Sequence, residues 1–207
     1  MLVVARGRAY QGRAVPVQPK RSEVPWRPSA EQIAAAVGGR VPDVVAPDLD
    51  ILYCGINPSL YSAAVGHNFG RPGNRFWPVL AAAGLTPVQL GPFEERRLLD
   101  YGQGITNLVA RATARADEVA PDELVAGGRR LRAKVARLRP RTVAFLGVTS
   151  YRAAFGAPRA TIGLQGERFG EARIWVLPNP SGLNAHYQLP ELARLFAQLR
   201  EESSPPA

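Results

Sequence analysis

The sequence is poor in the residues that build metal sites and disulfide bonds. Among its 207 residues there are one cysteine and two histidines. The single cysteine, Cys54, cannot close an intramolecular disulfide or hold a four-cysteine iron–sulfur cluster, and two histidines leave little material for a zinc site. These absences predict chemistry that needs no metal.

Long apolar runs are also absent. No segment approaches the ~18 to 20 consecutive apolar residues of a membrane span, and the opening MLVV is shorter than the apolar region of a signal peptide. We therefore expect a soluble protein of the cytoplasm that does not bind membranes. An apolar content of 46% over 207 residues is enough for one proper core, so the sequence predicts a single domain with tails.

Negative charge and lysine are both scarce. The chain carries 26 basic and 17 acidic residues, which gives a net charge of +9, and only Lys20 and Lys134 among the basic residues are lysines. The positive balance favours a polyanionic partner such as nucleic acid. The arginine bias itself can reflect either genome base composition or a preference for bidentate phosphate contacts.

The chain divides into a central domain and two tails. Residues 1–28 are basic, contain several prolines and show no apolar period, so a disordered arm is predicted there. That arm is either a solvated tail or a segment that grips phosphates without sequence preference. Residues 29–201 form the predicted domain, and residues 202–207 are a second disordered tail.

The domain has the pattern of an α/β fold, because short β-branched or aromatic runs alternate with longer amphipathic stretches. The predicted strands cover residues 51–56, 104–108, 142–147 and 173–177, and the predicted helices cover residues 75–83, 92–99, 121–138, 149–155 and 190–201. Since the strands are almost continuously apolar, we expect a mostly parallel sheet that helices cover on both faces.

Asparagines follow three of the predicted strands. Asn57 follows the first strand, Asn107 ends the second, and Asn179 follows the last. In open α/β sheets, ligands bind beyond the carboxyl ends of the strands. Each asparagine alone is compatible with ordinary turn structure. Their shared placement predicts a common pocket.

Two long motifs resemble the paired signatures of the mismatch-specific uracil/thymine-DNA glycosylases. They are GINPSLYSAAVGHNFGRPGNRFWPVL at residues 55–80 and LPNPSGLNAHY at residues 177–187, with matching segments GITNLVARAT and ELVAGGRRLRAKV between them. The resemblance extends over residues 50–197. It implies a three-layer α/β/α sandwich with a uracil-DNA glycosylase-like sheet, and base excision repair of duplex DNA that contains G·U or related mismatches. It also implies a monomer that needs no cofactor and associates with the nucleoid when bound to DNA.

The resemblance assigns roles to the residues of the first motif. Asn57 aligns with the residue that holds the attacking water, and an amide can orient water but cannot take its proton. Backbone groups of Ile56 and Phe69 would bind the pyrimidine edge, and the Phe69 ring would stack on the base. Ser59 would lie beside the C5 edge of uracil, where family members often carry glycine, so excision of thymine is in doubt. Ser62 would contact the phosphate of the flipped nucleotide.

The remaining assignments concern the strand exits and the second motif. Asn107 occupies a position where a lysine can occur in the family, and it joins Asn179 among the substrate-binding residues. The resemblance makes Leu183 the apolar wedge that fills the space left by the flipped base, as an intercalating side chain requires. The residues that flank it, Ser181, Gly182 and Asn184, are assigned to DNA binding.

Asp100 is an additional candidate that the resemblance does not supply. It lies just ahead of the predicted strand 104–108, whose exit borders the pocket, so we expect it to act as a base on the attacking water. A surface aspartate at the end of a helix is the alternative. Asp48 and Asp50 lie at the opposite end of the first strand and are poor candidates for that reason.

Three functions are compatible with these features. The first is a monofunctional DNA glycosylase that releases uracil from a G·U mismatch, because no lysine lies in any motif to form a Schiff base. The second is a non-catalytic protein that binds mismatches or abasic sites. The third, a hydrolase of small nucleosides, is disfavoured by the basic charge and by the Gly182–Leu183 wedge.

Overall fold

A computed structural model of the chain describes residues 27–182 and 184–203. Most of the predicted arm, the wedge residue Leu183 and the last four residues lie outside this part of the chain. Helix α6, defined below, continues to Ser203 and so includes the first two residues of the predicted tail.

The centre of the fold is a five-stranded sheet. Its strands are β1 (Ile51–Gly55), β2 (Gln103–Asn107), β3 (Thr142–Leu146), β4 (Gly163–Phe169) and β5 (Ala172–Leu177), in the order β2-β1-β3-β5-β4. All neighbouring pairs are parallel except β4 with β5. The prediction of a mostly parallel α/β sheet is confirmed.

The edge strand β4 is the one strand that the sequence pattern did not predict. Its sequence, GLQGERF, is polar and contains two glycines, and its residues alternate between half-buried and exposed positions. Such a strand gives no apolar run, because one of its edges and part of its surface face solvent. Its pairing with β5 is antiparallel and irregular between Leu164 and Arg168.

Helices lie on both faces of the sheet. They are α1 (Ala30–Ala35), α2 (Leu60–Val65), α3 (Phe76–Ala82), α4 (Pro121–Leu138), α5 (Val148–Phe155) and α6 (Leu189–Ser203), with 3-10 helices at Pro92–Tyr101 and Ala116–Glu118. The unpredicted helices α1 and α2 each have six residues, too few to show a clear apolar period. Ser29 and Ser59 cap their amino ends.

Two apolar cores result from the alternation of side chains along the strands. In β1, Ile51 and Tyr53 face one core while Leu52 and Cys54 face the other. The first core packs against α3 and α6, and the second packs against α4 and α5. The chain therefore forms the predicted three layers, with the carboxyl ends of the parallel strands at one edge.

Over residues 27–182 and 184–203, no helix is both long enough and apolar enough to cross a bilayer.

Candidate active site

A cavity of about 470 Å³ opens at the carboxyl ends of β1, β2, β3 and β5. Most residues that the sequence assigned to a site line this cavity: Ile56, Asn57, Ser59, Ser62, Phe69, Asn107, Asn179, Ser181 and Asn184. The three asparagines after the strands are thus brought together, as the sheet topology predicts.

The side chain of Asn57 is held in one orientation. Its Nδ2 donates to the Arg111 carbonyl at 3.0 Å and to the Thr113 hydroxyl at 2.8 Å, while that hydroxyl donates to the Arg115 carbonyl at 2.6 Å. Since a carbonyl only accepts hydrogen bonds, the atom facing Arg111 must be the amide nitrogen. The Oδ1 atom accepts no hydrogen bond from the described part of the chain and remains available in the cavity.

Ser59 and Ser62 shape the loop that carries Phe69. Ser59 Oγ caps α2 by accepting from the Ser62 N–H at 3.1 Å, and it donates to Ser62 Oγ at 3.0 Å. Ser62 Oγ also accepts from the Gly70 N–H at 3.0 Å. Ser62 is 3% exposed, and its Oγ fixes this loop by accepting two hydrogen bonds. The expected contact of Ser62 with a phosphate would use the hydrogen of this hydroxyl and stays a prediction.

Phe69 lies in the wall of the cavity. Its ring stacks on Phe76 with ring centres 4.0 Å apart, and Phe76 is fully buried. Phe69 itself is only partly buried and lines the cavity. Its φ of 52° is in the left-handed region, which is uncommon for a residue other than glycine and costs about 1 kcal/mol or more. The surrounding contacts therefore hold this residue in a strained conformation.

Two backbone donors lie on the same wall. The Ile56 carbonyl accepts from the Val109 N–H at 2.9 Å. Neither the Ile56 N–H nor the Phe69 N–H makes a backbone or side-chain hydrogen bond within residues 27–182 and 184–203. Both belong to residues that line the cavity, where they can donate to a bound group.

A polar network orients Asn107. Its Nδ2 donates to Asn68 Oδ1 at 2.9 Å, and Asn68 Nδ2 donates to Glu95 Oε2 and to the Pro42 carbonyl, both at 3.0 Å. Glu95 is 6% exposed and also accepts from the Asn68 N–H at 2.8 Å. Asn107 therefore keeps Oδ1 and its second N–H hydrogen for the cavity. Sequence reasoning missed Asn68 and Glu95, although Asn68 lies within the first motif.

Close packing at Gly55 completes this wall. A Cβ atom at Gly55 would lie 2.6 Å from Asn107 Oδ1 and 3.5 Å from Phe69 Cζ. The glycine of the first motif is therefore required for the strand to pass beneath both side chains.

The loop between β5 and α6 forms the opposite wall. Asn179 Oδ1 accepts from the Ser181 N–H at 3.0 Å, and Asn184 Nδ2 donates to the Asn179 carbonyl at 3.0 Å. A Cβ atom at Gly182 would lie 2.5 Å from the Gly73 carbonyl oxygen, so only glycine fits there. The asparagine side chains of this loop give it its shape, and Leu183 lies outside the described residues.

Comparison with known proteins agrees with this geometry. A family model of the uracil DNA glycosylase superfamily matches residues 42–201. The chain belongs to this superfamily. Membership implies a DNA glycosylase, a hydrolase that acts on DNA.

A solved structure shows that the fold is shared. It is the NMR structure of a candidate uracil DNA glycosylase from Methanosarcina acetivorans, which is 18% identical to this chain. The match covers 79% of this chain and 99% of that protein, with a TM-score of 0.54. At this identity the match shows the uracil DNA glycosylase-like fold, and the predicted fold is confirmed.

One expected member of the candidate site lies elsewhere. Asp100 is the second-last residue of the 3-10 helix Pro92–Tyr101, which leads into the amino end of β2, whereas the cavity lies at the carboxyl end, beyond Asn107. At ~3.3 Å per residue, the length of β2 separates the two ends by roughly 15 Å. Asp100 therefore does not reach the cavity. The argument that excluded Asp48 and Asp50 applies to Asp100 as well, because all three precede a strand.

The charged groups that line the cavity lie in two segments. Arg71 is exposed in the first motif, and Arg115 forms an exposed ion pair with Asp117 in the segment after β2. Amides, hydroxyls and apolar groups make up most of the remaining surface. The Cys54 thiol is buried one position before Gly55, and burial raises its pKa, so it is not poised as a nucleophile.

Across the described ranges, no group of three or more histidine, cysteine, aspartate or glutamate side chains is arranged to hold an ion.

Proposed function

We propose that the chain is a monofunctional, mismatch-specific DNA glycosylase. It hydrolyses the N-glycosidic bond of uracil in duplex DNA, above all uracil opposite guanine, and leaves an abasic site for base excision repair. The observation that carries this proposal is the fixed amide of Asn57, which lines a cavity of about 470 Å³ and whose Oδ1 accepts no hydrogen bond from the described residues, in a chain of this superfamily.

Asn57 positions the nucleophile. Its Oδ1 accepts a hydrogen bond from a water molecule and aims the water oxygen at C1′ of the flipped nucleotide. The C1′–N1 bond breaks with its electron pair remaining on uracil, and the water oxygen bonds to the oxocarbenium-like C1′. The proton of the water passes to solvent or to the uracil anion, because an amide cannot accept it.

The opposite side of the cavity binds the base. The Phe69 ring has one face on Phe76, so its other face can stack on a pyrimidine. The free N–H groups of Ile56 and Phe69 donate to carbonyl oxygens of uracil and stabilise the negative charge of the leaving base. The Asn107 amide, with one acceptor and one donor available, pairs with the N3–H and O4 groups of uracil.

Ser59 sets the preference for uracil over thymine. Its hydroxyl is fixed by α2 and by Ser62, so it cannot rotate freely away from a methyl group at C5. With serine at position 59, the space beside C5 of uracil is smaller than it would be with glycine. Excision of thymine is therefore slower than excision of uracil.

The loop at residues 181–184 opens the base pair. Extrusion of a nucleotide costs a few kcal/mol, and an apolar wedge that fills the vacated space offsets part of that cost. In this proposal Leu183 is the wedge, and the adjacent polar groups of Ser181 and Asn184 face the unpaired guanine. The tight contact of Gly182 with Gly73 supports a loop of fixed shape.

The lysines support a monofunctional enzyme. Strand cleavage through a Schiff base needs a free amine next to C1′. Lys134 forms an ion pair with Asp43, donates to the Thr106 hydroxyl at 2.7 Å and does not line the cavity. Lys20, the other lysine, lies outside the described residues.

The same proposal includes the location of the enzyme, its oligomeric state and its contacts with DNA phosphates. The enzyme acts as a cytoplasmic monomer without a cofactor, and the basic residues of the arm 1–28 add contacts to DNA phosphates. Such contacts make the affinity for DNA decrease as salt concentration increases.

The test is single-turnover excision from labelled DNA that carries G·U, A·U, G·T or a single-stranded uracil, with alkaline cleavage to reveal abasic sites. We expect the fastest release from G·U. Equal release from G·U, A·U and the single strand would place specificity in the uracil pocket alone. Tight binding to G·U without release would favour the alternative, a non-catalytic binder of mismatches.

A further inference from the structure

Arg75 joins the two sequence motifs through its side chain. It lies at the amino end of α3 and directs its guanidinium group into the loop between β5 and α6. Nη1 donates to the Tyr187 carbonyl, and Nη2 donates to the carbonyls of Ser181 and Asn184, the latter at 2.6 Å. The Arg75 backbone N–H adds a bond to the Pro180 carbonyl at 2.9 Å. The carbonyls that accept these four bonds belong to residues on both sides of position 183 in the sequence.

The arrangement is specific for arginine. The guanidinium group presents donors in a rigid fork, so it can bind several carbonyl groups that converge from different directions. A lysine has one nitrogen atom and cannot reach the same three carbonyls in this geometry. Hydrogen bonds from a charged donor are also stronger than those between neutral groups.

The buried guanidinium group of Arg75 is only partly paired. Its Nε is buried and has no hydrogen-bond partner in the part of the chain that the structure describes. Burial of an unpaired polar atom opposes folding, so the remaining bonds of the guanidinium group must offset that cost. No carboxylate forms an ion pair with this guanidinium among the described residues, so backbone carbonyls alone surround its charge.

The loop depends on these contacts for its shape. Between the end of β5 at Leu177 and the start of α6 at Leu189 the described residues form no helix or strand. Besides Arg75, the loop is held by its own asparagine side chains and by the contact of Gly182 with Gly73. Residues 71–75 therefore contact the loop and help to fix its conformation.

We propose that Arg75 is a positioning residue for base-pair opening. It fixes the loop 180–187 in the form that enters the duplex, and it contributes little to hydrolysis once the uracil is unpaired. This inference rests on the proposed function, because it assumes that the loop is the wedge. It predicts that loss of Arg75 impairs the enzyme selectively on paired DNA.

The test compares Arg75→Lys with a matched control. Arg152→Lys is the control, because Arg152 also holds a loop through a backbone carbonyl, that of Ala160 at 2.7 and 2.9 Å, but does not line the cavity. Single-turnover release is measured on a G·U duplex and on a uracil that is unpaired in a single strand or a one-nucleotide bulge. Hydrogen exchange of residues 178–188 is measured without DNA.

For Arg75→Lys we expect release from the duplex to fall about 10- to 100-fold, as the loss of one charged hydrogen bond implies. Release from unpaired uracil stays near the wild-type rate, and exchange in residues 178–188 becomes faster. Arg152→Lys changes none of these three quantities. Gly182→Ala, which disturbs the loop without removing the positive charge, also lowers release from the duplex.

Two results would overturn the inference. One is an equal loss on paired and unpaired uracil, which would assign Arg75 to the cavity. The other is unchanged exchange and unchanged release in Arg75→Lys. If the wild-type protein released no uracil from any substrate, the proposed function would fail. In that case two other measurements on Arg75→Lys would decide the role of Arg75. They are hydrogen exchange of residues 178–188, and the affinity for an abasic duplex relative to that for a single strand.

Discussion

The Asn57 amide donates to the Thr113 hydroxyl at 2.8 Å. Because that hydroxyl gives its only hydrogen to the Arg115 carbonyl, it can serve Asn57 solely as an acceptor. The amide nitrogen of Asn57 therefore faces Thr113, and its oxygen faces the cavity. Thr113 is 3% exposed, so water does not compete for this contact.

This contact predicts the effect of changes at Thr113. Thr113→Val keeps the shape but removes the acceptor, which leaves one amide N–H unpaired and the Asn57 side chain held by the Arg111 carbonyl alone. We expect single-turnover release of uracil to fall about 10-fold, in line with ~1 to 3 kcal/mol for an unpaired buried donor. Thr113→Ser should restore most of the rate. Equal rates for the valine and serine variants would contradict this role.

Asn57 and Asp100 should respond differently to substitution. Asn57→Ala removes the oxygen that holds the water, so release should fall about 100-fold or more, since misplaced reactants lose at least that factor. Asp100→Asn should keep the wild-type rate within about twofold, because Asp100 lies at the far end of β2. Both rates are measured after folding and DNA binding have been checked. A large loss in Asp100→Asn would show that the carboxylate reaches the site in the complex with DNA.

Glu95 should control the uracil pocket through Asn68. Its carboxylate accepts from His67 Nδ1 at 2.9 Å and from two Asn68 groups, so Glu95→Gln replaces one of its two acceptor oxygens by a donor and removes the negative charge. We expect a loss of stability of about 1 to 3 kcal/mol and weaker binding of free uracil, because Asn107 loses its support. Glu94→Gln is the control, because the carboxylate of this neighbouring residue binds Arg97 and the Gly91 N–H and does not contact Asn68. Unchanged uracil affinity in Glu95→Gln would separate Asn107 from this network.

Acid should weaken the contact between Arg111 and Glu123. The paired Arg111 guanidinium, helped by a hydrogen bond from the Ala120 N–H, lowers the pKa of Glu123 from 4.5 to about 2. A carboxyl group whose pKa is lower in the folded state stabilises the protein above its unfolded pKa, and this stabilisation is lost as pH falls from 4.5 towards 2.

The corresponding measurement is the Tm of wild type and Glu123→Gln as a function of pH. The wild type should have the higher Tm at neutral pH, and the difference should shrink below pH 4.5. Because the Arg111 carbonyl binds Asn57, the variant should also release uracil more slowly. A Tm difference that stays constant down to pH 2 would exclude ionisation of Glu123 as its cause.

The sequence predicted the parts of the fold that have a strong apolar signal. The strands β1, β2, β3 and β5 are short and buried, and α4 has a long amphipathic pattern with Pro121 at its start. The strand β4 gave no such signal because it is polar and lies at an edge. Parallel pairing then brought Asn57, Asn107 and Asn179 to one cavity, which is why their placement after strands was informative.

The supporting residues of the site could not be predicted in this way. Asn68, Glu95 and Thr113 are polar and buried, and each acts through a partner that is distant in sequence. Neither apolar periodicity nor turn chemistry reports such contacts. The expectation for Asp100 failed for a different reason, because it used nearness in sequence to a strand without asking which end of the strand faces the cavity.

The dependence of the loop 180–187 on Arg75 and Gly73 limits how this enzyme can be redesigned. A transplanted loop would keep its shape only if its carbonyls matched the donors of the Arg75 guanidinium group, and any side chain at position 182 would collide with Gly73. Chimeras should therefore exchange residues 71–75 and 180–187 together. The segments 71–75 and 180–187 form a single module for engineering, although about one hundred residues separate them in the chain.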